Sequence, residues 1–158
     1  MKLPLLLTAA LLCSLALADG KTEVYQTLSA KALAKKKNED CSFVHFWATW
    51  CTICIEELPR LIKLLPSTGV KPVIVDLSDT FVQDNFSKKW IKQLNPPFTV
   101  YVKPDTKDEP YLKQAGFKWT NTLPYSYLFK GGKKVKEWDG YLDMAQLKSE
   151  LNQFCSPK

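Results

Sequence analysis

The chain alternates between short, continuously apolar runs and longer segments in which apolar residues recur every three or four positions. The runs have the length and the β-branched or aromatic content of buried strands, whereas the longer segments have the period of amphipathic helices. Strands are predicted at 42–48, 72–77, 98–102, 125–129 and 133–139. Helices are predicted at 22–37, 52–65, 81–94, 108–116 and 143–154.

The order of these elements predicts the fold class. Strands and helices alternate up to residue 116, and the pair Gly131-Gly132 between the last two strands is typical of a hairpin turn. This order favours an α/β fold in which a mixed central sheet is covered by helices on both faces. No internal repeat or long linker interrupts it.

The first 18 residues have the features of a secretory signal peptide. Lys2 precedes a leucine-rich stretch, and Ala16-Leu17-Ala18 supplies the small residues of a cleavage site. The stretch is shorter than the roughly 20 residues that cross a bilayer, so an uncleaved anchor is the weaker alternative. We expect a signal peptide at 1–18 and one domain of about 140 residues at 19–158, located in the periplasm or secreted.

The distribution of charge argues against nucleic acid as a partner. The chain has 22 basic and 16 acidic residues, and removal of the leader takes away only Lys2, which leaves a net charge of +5. The lysines are dispersed, and no basic stripe carries interleaved aromatic residues. We expect a monomer that binds neither nucleic acid nor a cofactor.

A Cys-x-x-Cys pair, Cys51 and Cys54, lies where the strand at 42–48 gives way to a helix. Unpaired N–H groups and the helix dipole favour a thiolate at a helix N-terminus, and thiolate is the attacking species in disulfide exchange. Two intervening residues allow the second sulfur to resolve a mixed disulfide formed by the first. We expect Cys51 to attack and Cys54 to resolve, although half of a zinc site would have the same spacing.

The residues around the pair resemble the active-site region of thioredoxin-like proteins, in particular the TlpA-like and ResA-like branch. Trp50 precedes the pair, and Glu57 and Pro59 follow Cys54 at the spacing that this branch carries. The resemblance implies a thioredoxin-like fold, and the helix and strand at 81–102 match the central insertion of TlpA-like proteins. No metal ligand set is implied.

A second point of resemblance is the sequence Thr122-Leu123-Pro124 before the strand at 125–129. The resemblance implies that Pro124 is a cis proline opposite the cysteines, and that Leu123 pairs through its backbone with a substrate chain. Trp50 would flank the cysteines as a further contact surface for partners. An ordinary proline at the entry to a strand is the alternative for Pro124.

The sequence departs from the family pattern in three places. Ile53 replaces the proline that many relatives have between the cysteines. No strand is predicted before the first helix, so the usual N-terminal strand or hairpin is expected to be missing. The sole histidine, His45, occupies the position of a buried aspartate of thioredoxin, where it either takes a proton from Cys54 or packs as a hydrogen-bonded core residue.

Two carboxylates follow the pair. Glu57 matches the glutamate of the family and is a second candidate for proton transfer, whereas Glu56 is expected to be a solvated helix residue. Carboxylates within a turn of a thiol raise its pKa by repulsion, which argues against a strong oxidant.

Two cysteines remain in the mature chain, Cys41 and Cys155. In the thioredoxin-like topology the strand that begins near Cys41 and the helix that ends near Cys155 both place these residues at the pole opposite the active pair. A structural disulfide is plausible in an oxidising compartment. Two separate thiols, or a zinc site of all four cysteines, are the alternatives.

The function expected from these features is that of an exported thiol-disulfide oxidoreductase. The resemblance implies a reductase that acts on extracytoplasmic protein disulfides, in cytochrome c maturation or copper-site assembly, with electrons from a membrane partner. A metallochaperone or a redox-silent binding module is the alternative, but the related copper chaperones use a longer Cys-x-x-x-Cys spacing. A peroxidase is disfavoured because Thr49 precedes Cys51 by two residues and not by three.

Overall fold

The structure is a computed structural model that describes residues 23–155. The predicted signal peptide at 1–18 lies outside this part of the chain. The strands are β1 (Tyr25–Thr27), β2 (Cys41–Trp47), β3 (Lys71–Asp76), β4 (Val100–Val102), β5 (Tyr125–Lys130) and β6 (Lys133–Asp139). The helices are α1 (Ala30–Lys36), α2 (Thr52–Leu64), α3 (Thr80–Val82), α4 (Lys88–Leu94), α5 (Asp108–Gln114) and α6 (Met144–Phe154).

The strands form one mixed sheet in the order β1-β4-β3-β2-β5-β6. The first four strands of this order run parallel to one another, whereas β5 is antiparallel to β2 and β6 is antiparallel to β5. The predicted α/β class and mixed sheet are confirmed. The predicted insertion at 81–102 forms α3, a π-helical turn (Gln83–Ser87), α4 and β4.

The strand β2 lies in the centre of the sheet and is buried along its whole length. Phe43 and Trp47 point into one hydrophobic cluster, which contains residues of α2, α4 and α6. Val44 and Phe46 point into a second cluster on the other face, with residues of α1 and α5. The alternation predicted from the sequence is therefore confirmed, and helices cover both faces of the sheet.

The prediction that no strand precedes the first helix is wrong. Tyr25–Thr27 forms β1, in which Tyr25 lies opposite Val100 of β4. The helix begins at Ala30 and not at residue 22, because the side chain of Ser29 accepts a hydrogen bond from the N–H of Ala32 and caps it. A strand of three residues is too short for a periodic pattern, so its pairing with β4 defines it.

The predicted helix at 81–94 is present as one run of helical residues from Thr80 to Leu94. Its middle is the π-helical turn Gln83–Ser87, in which the N–H of Lys88 reaches the carbonyl of Gln83, five residues earlier. None of the helices in residues 23–155 combines the length and the apolar character needed to span a bilayer.

Cys41 and Cys155 are joined by a disulfide across a sequence separation of 114 residues, with their Cα atoms 6.0 Å apart. Cys41 begins β2, and Cys155 directly follows α6. The bond therefore links the start of the central strand to the end of the last helix.

Replacement of Cys41 and Cys155 together by alanine is expected to lower the free energy of unfolding. A loop of this length restricts the unfolded chain, which corresponds to about 4–5 kcal/mol in the chain-entropy model. Urea unfolding of the variant and the wild type without reductant would measure the difference. After complete reduction of both proteins the difference should nearly vanish, whereas equal stability without reductant would contradict the prediction.

Candidate active site

The loop after β2 places Cys51 at the start of helix α2. Cys51 is the N-cap residue, with extended backbone angles, and its Sγ accepts a hydrogen bond of 3.2 Å from the N–H of Cys54. The first N–H groups of a helix have no partner within the helix and carry its positive end. This position stabilises negative charge on the sulfur of Cys51.

The two cysteines form a disulfide, with their Cα atoms 5.2 Å apart. Cys51 retains 7% of its surface, whereas Cys54 is fully buried. A partner that approaches from solvent can therefore reach Cys51 but not Cys54.

The loop that carries Cys51 is tied to the end of the neighbouring strand β3. The N–H of Thr49 donates to Oγ of Ser78 (3.0 Å), and the N–H of Ser78 donates to Oδ1 of Asp76 (2.8 Å). The hydroxyl of Tyr25 donates to the other oxygen of this fully buried carboxylate (2.9 Å). These four residues hold the active-site loop against β3 and β1.

The sequence reasoning did not identify this hydrogen-bond network. The available signal was the polar pair Asp76 and Ser78 at the carboxyl end of a predicted parallel strand. Side chains at the carboxyl ends of adjacent parallel strands lie at one edge of the sheet, as those after β2 and β3 do here.

Glu57 is fully buried, three residues after Cys54 on α2. Its Oε1 accepts a hydrogen bond of 2.6 Å from the N–H of Leu142, while Oε2 has no hydrogen-bond partner among residues 23–155. Burial raises the pKa of Glu57 to about 7, and the Leu142 N–H and the charge of Arg60 oppose part of this rise. The carboxyl group therefore titrates near neutral pH.

His45 is fully buried in the middle of β2. Its Nδ1 shares a hydrogen bond of 2.8 Å with Oγ of Ser126, and its Nε2 has no partner within the described chain. Burial lowers the pKa of His45 to about 3. The imidazole is therefore neutral at physiological pH.

Leu123 and Pro124 lie at the same end of the sheet as the cysteine pair. Tyr125, the next residue, begins β5 and lies opposite Phe46 near the end of β2. The Leu123–Pro124 peptide bond is cis, as the resemblance implied. Leu123 is partly buried and contacts both hydrophobic clusters.

The two tryptophans of the loop differ in environment. Trp50, directly before Cys51, is 63% exposed. Trp47 is fully buried and packs against Trp90 of α4, with 5.6 Å between ring centroids. Trp50 therefore offers an aromatic surface beside the exposed sulfur, whereas Trp47 belongs to the core.

Within residues 23–155 no three His, Cys, Asp or Glu side chains are arranged to hold a metal ion. The arrangement at the end of β2 combines one accessible sulfur, one buried sulfur and a buried carboxyl group that titrates near neutrality. These groups are sufficient for exchange between a thiol pair and a disulfide.

Comparison with known proteins finds relatives among the ResA thiol-disulfide oxidoreductases. The thiol-disulfide oxidoreductase ResA of Bacillus thuringiensis subsp. konkukian is 31% identical over 112 residues, which are 70% of this chain and 61% of that protein. The ResA of Bacillus cereus strain ZK / E33L is 30% identical over 115 residues, with the same shares. The chain thus spans less than two thirds of the length of these relatives, and no protein-family model matches it.

Solved structures show the same fold. The structure of StoA from Bacillus subtilis has a TM-score of 0.52 and 23% identity, covering 70% of this chain and 81% of that one. The exposed lipoprotein thioredoxin of Streptococcus pneumoniae has a TM-score of 0.54 and 20% identity, covering 80% and 96%. The chain therefore has a thioredoxin-like fold, and its sequence is similar to that of the ResA thiol-disulfide oxidoreductases.

Proposed function

We propose that this protein is a thiol-disulfide oxidoreductase in which Cys51 is the nucleophile and Cys54 the resolving thiol. The observation that carries the proposal is the cysteine pair at the N-terminus of α2, with one sulfur accessible and the other buried. Its similarity to ResA over 70% of the chain supports the same chemistry.

The reaction consists of two exchanges. The Cys51 thiolate attacks one sulfur of the substrate disulfide, forms a mixed disulfide and releases the first substrate thiolate. Cys54 then loses its proton and attacks Sγ of Cys51, which releases the second substrate thiolate and forms the Cys51–Cys54 disulfide. Two electrons pass from the pair to the substrate, and a donor must reduce the pair again.

Glu57 is the group that we assign to the proton of Cys54. The two residues are three positions apart on one helix face, and both are fully buried. A pKa of about 7 lies close to that of a thiol, which suits a carboxylate that takes a proton and later returns it. His45, whose pKa is about 3, is a poor acceptor, and we assign it to packing against Phe43 in the core.

Export and the direction of electron flow belong to the same proposal. The predicted signal peptide and the likeness to an exposed lipoprotein thioredoxin support an extracytoplasmic location. Repulsion of a thiolate by Glu56, and by Glu57 when it is ionised, disfavours a strong oxidant, so we assign reduction of extracytoplasmic protein disulfides, with electrons from a membrane donor. Cysteines of cytochrome c apoproteins or of copper sites are the candidate substrates.

Substrate contacts are assigned to the groups that surround Cys51. Trp50 is exposed beside the sulfur, and Leu123 and Pro124 lie at the same end of the sheet. In the thioredoxin-like proteins that the sequence resembles, the backbone before the cis proline pairs with the substrate chain. We propose this role for Leu123.

The equilibrium redox potential of the Cys51–Cys54 pair is expected at about −250 mV or below, since thioredoxin lies near −270 mV. Titration against dithiothreitol, with mass-tagging of free thiols, would measure it. The Cys41→Ala/Cys155→Ala variant of residues 19–158 is the matched background, because without Cys13 it leaves only the active pair to titrate.

In this background, further replacement Cys51→Ser should abolish the transition. A potential near −120 mV would make the protein an oxidant and overturn the assigned direction. If no reversible transition occurred, the oxidoreductase proposal would be wrong.

The side chain of Glu57 is expected to titrate near pH 7, and carbon-detected NMR of the labelled carboxyl group would measure this. Because the pKa in the folded protein lies above the ordinary value, the folded state keeps a proton that the unfolded chain releases. Stability should therefore fall as the pH rises from about 4.5 to 7, and Glu57→Gln should lose this component.

Glu57→Gln should also slow the resolution of a mixed disulfide by about tenfold or more near pH 7, because the proton acceptor for Cys54 is removed. Glu56→Gln is the matched control, since Glu56 is the exposed neighbour on the same helix. Equal slowing by both variants would contradict the assignment to Glu57.

A further inference from the structure

Three of the exposed aromatic side chains in residues 23–155 lie on the active-site loop and on the segment that follows β3. Phe81 is 77% exposed and Phe86 is 49% exposed, beside Trp50 with its 63%. Exposure of large apolar side chains close to one another is typical of interaction sites. Trp50, Phe81 and Phe86 are called the insertion face below, because two of them belong to the inserted segment after β3.

The active-site loop and the start of the insertion run side by side. Thr49 is hydrogen-bonded to Ser78, so the residues that follow each of them, Trp50 and Asp79, leave the sheet together. Trp50 and Asp79 line one cleft of about 550 Å³, to which Asp105 also contributes. The segment that carries Phe81 therefore begins at the rim of the cleft beside Trp50.

The π-helical turn determines where Phe86 lies. The turn holds one residue more than a regular helical turn between Gln83 and Lys88, so Phe86 points in a different direction than it would in a regular α-helix. Phe86 stacks on Trp90 (6.1 Å between centroids), and Trp90 packs on Trp47 in the core. These ring contacts hold Phe86 against the core, whereas Phe81 projects into solvent.

The charged side chains that line the cleft beside Trp50 include more carboxylates than lysines, with Asp79, Asp105 and Asp108 against Lys103 and Lys107. The segment 79–87 adds Asp84 and no basic residue, and of the two lysines that follow it, Lys88 is ion-paired with Glu23 and Lys89 is exposed. Of the two lysines that line the cleft, Lys103 is buried and ion-paired with Asp108, while Lys107 is exposed. An apolar surface bordered by carboxylates suits an apolar partner that carries a positive charge.

We propose that the insertion face binds the polypeptide whose disulfide reacts at Cys51, and selects substrates with an apolar side chain and a basic residue close to the cysteine. The proposal rests on the proposed function, because it requires a protein disulfide as substrate. Two copies of this face would bring the same carboxylates together, and an anionic lipid surface would repel them. A basic polypeptide is the occupant that the charges favour.

The test uses two short peptides, each with one cysteine in a mixed disulfide with 2-mercaptoethanol. One peptide has leucine and lysine beside the cysteine, and the matched peptide has serine and glutamate there. Hydroxyethyl disulfide serves as a small neutral probe that lacks the side chains that would contact Phe81 and Phe86. Stopped-flow measurement with the reduced protein gives a second-order rate constant for each probe.

The wild type should react at least about tenfold faster with the leucine-lysine peptide than with the serine-glutamate peptide. Phe81→Ser should lower the rate constant for the first peptide by about five- to tenfold, because the side chain buries apolar surface against the substrate. Its rate constant with hydroxyethyl disulfide should not change. Val135→Ser is the matched control, since Val135 is an exposed apolar residue on the edge strand β6.

Equal rate constants of Phe81→Ser and wild type with the leucine-lysine peptide would overturn the inference and leave the proposed function intact. Phe81→Ser could instead abolish binding to phosphatidylglycerol vesicles, or dimerisation in sedimentation experiments, while the peptide rates stay unchanged. Either result would also overturn the inference. Those results would assign the face to a lipid surface or to a second copy.

Failure of the proposed function has a different signature, which is the absence of any Cys51-dependent reaction with hydroxyethyl disulfide. In that case the leucine-lysine peptide with serine in place of cysteine still tests the face by NMR. Chemical-shift changes confined to Trp50 and residues 79–86, and lost in Phe81→Ser, would support binding there. No change in these signals would overturn it.

Discussion

The burial of β2 on both faces is the constraint on which the rest of the structure depends. Every residue from Cys41 to Trp47 is buried, so the strand cannot be shifted without moving side chains from one hydrophobic cluster to the other. The chain leaves the sheet directly after Trp47, beside the end of β3, and turns into α2. The position of Cys51 at a helix N-terminus follows from this, and so does the asymmetry of access between the two sulfurs.

The parts of the fold that the sequence predicted well are those in which a local period or turn signal decides the structure. The strand at 133–139 coincides with β6, and β2, α2 and α6 begin and end within about two residues of their predicted limits, a usual boundary error. β1 was missed because its identity comes from pairing with β4. The π-helical turn within the helix at 81–94 was missed because its hydrogen-bond pattern leaves no distinct apolar period.

The candidate site, like the fold, has a part that the sequence predicted and a part that it did not. Cys51, Cys54 and Glu57 lie within one turn or two of each other, so their spacing was enough to single them out. The surroundings of these three side chains come from segments that are distant in the sequence. Leu142, which is 85 residues from Glu57, donates the N–H hydrogen bond that the carboxyl group of Glu57 accepts. The active-site loop is supported by Tyr25 and Asp76, which lie on two other strands. The pattern of a single sequence does not reveal such hydrogen bonds between distant residues.

The chain contains two disulfides with opposite requirements, since the Cys41–Cys155 bond has to persist while the proposed active pair has to open and close. β2 has seven residues, so Cys41 is separated from the end of that strand, and from the active pair beyond it, by about 20 Å. The Cys51 thiolate cannot attack its own molecule's second disulfide over such a distance. Loss of that bond therefore requires a thiol from another molecule, so the opening and closing of the active pair does not in itself break it.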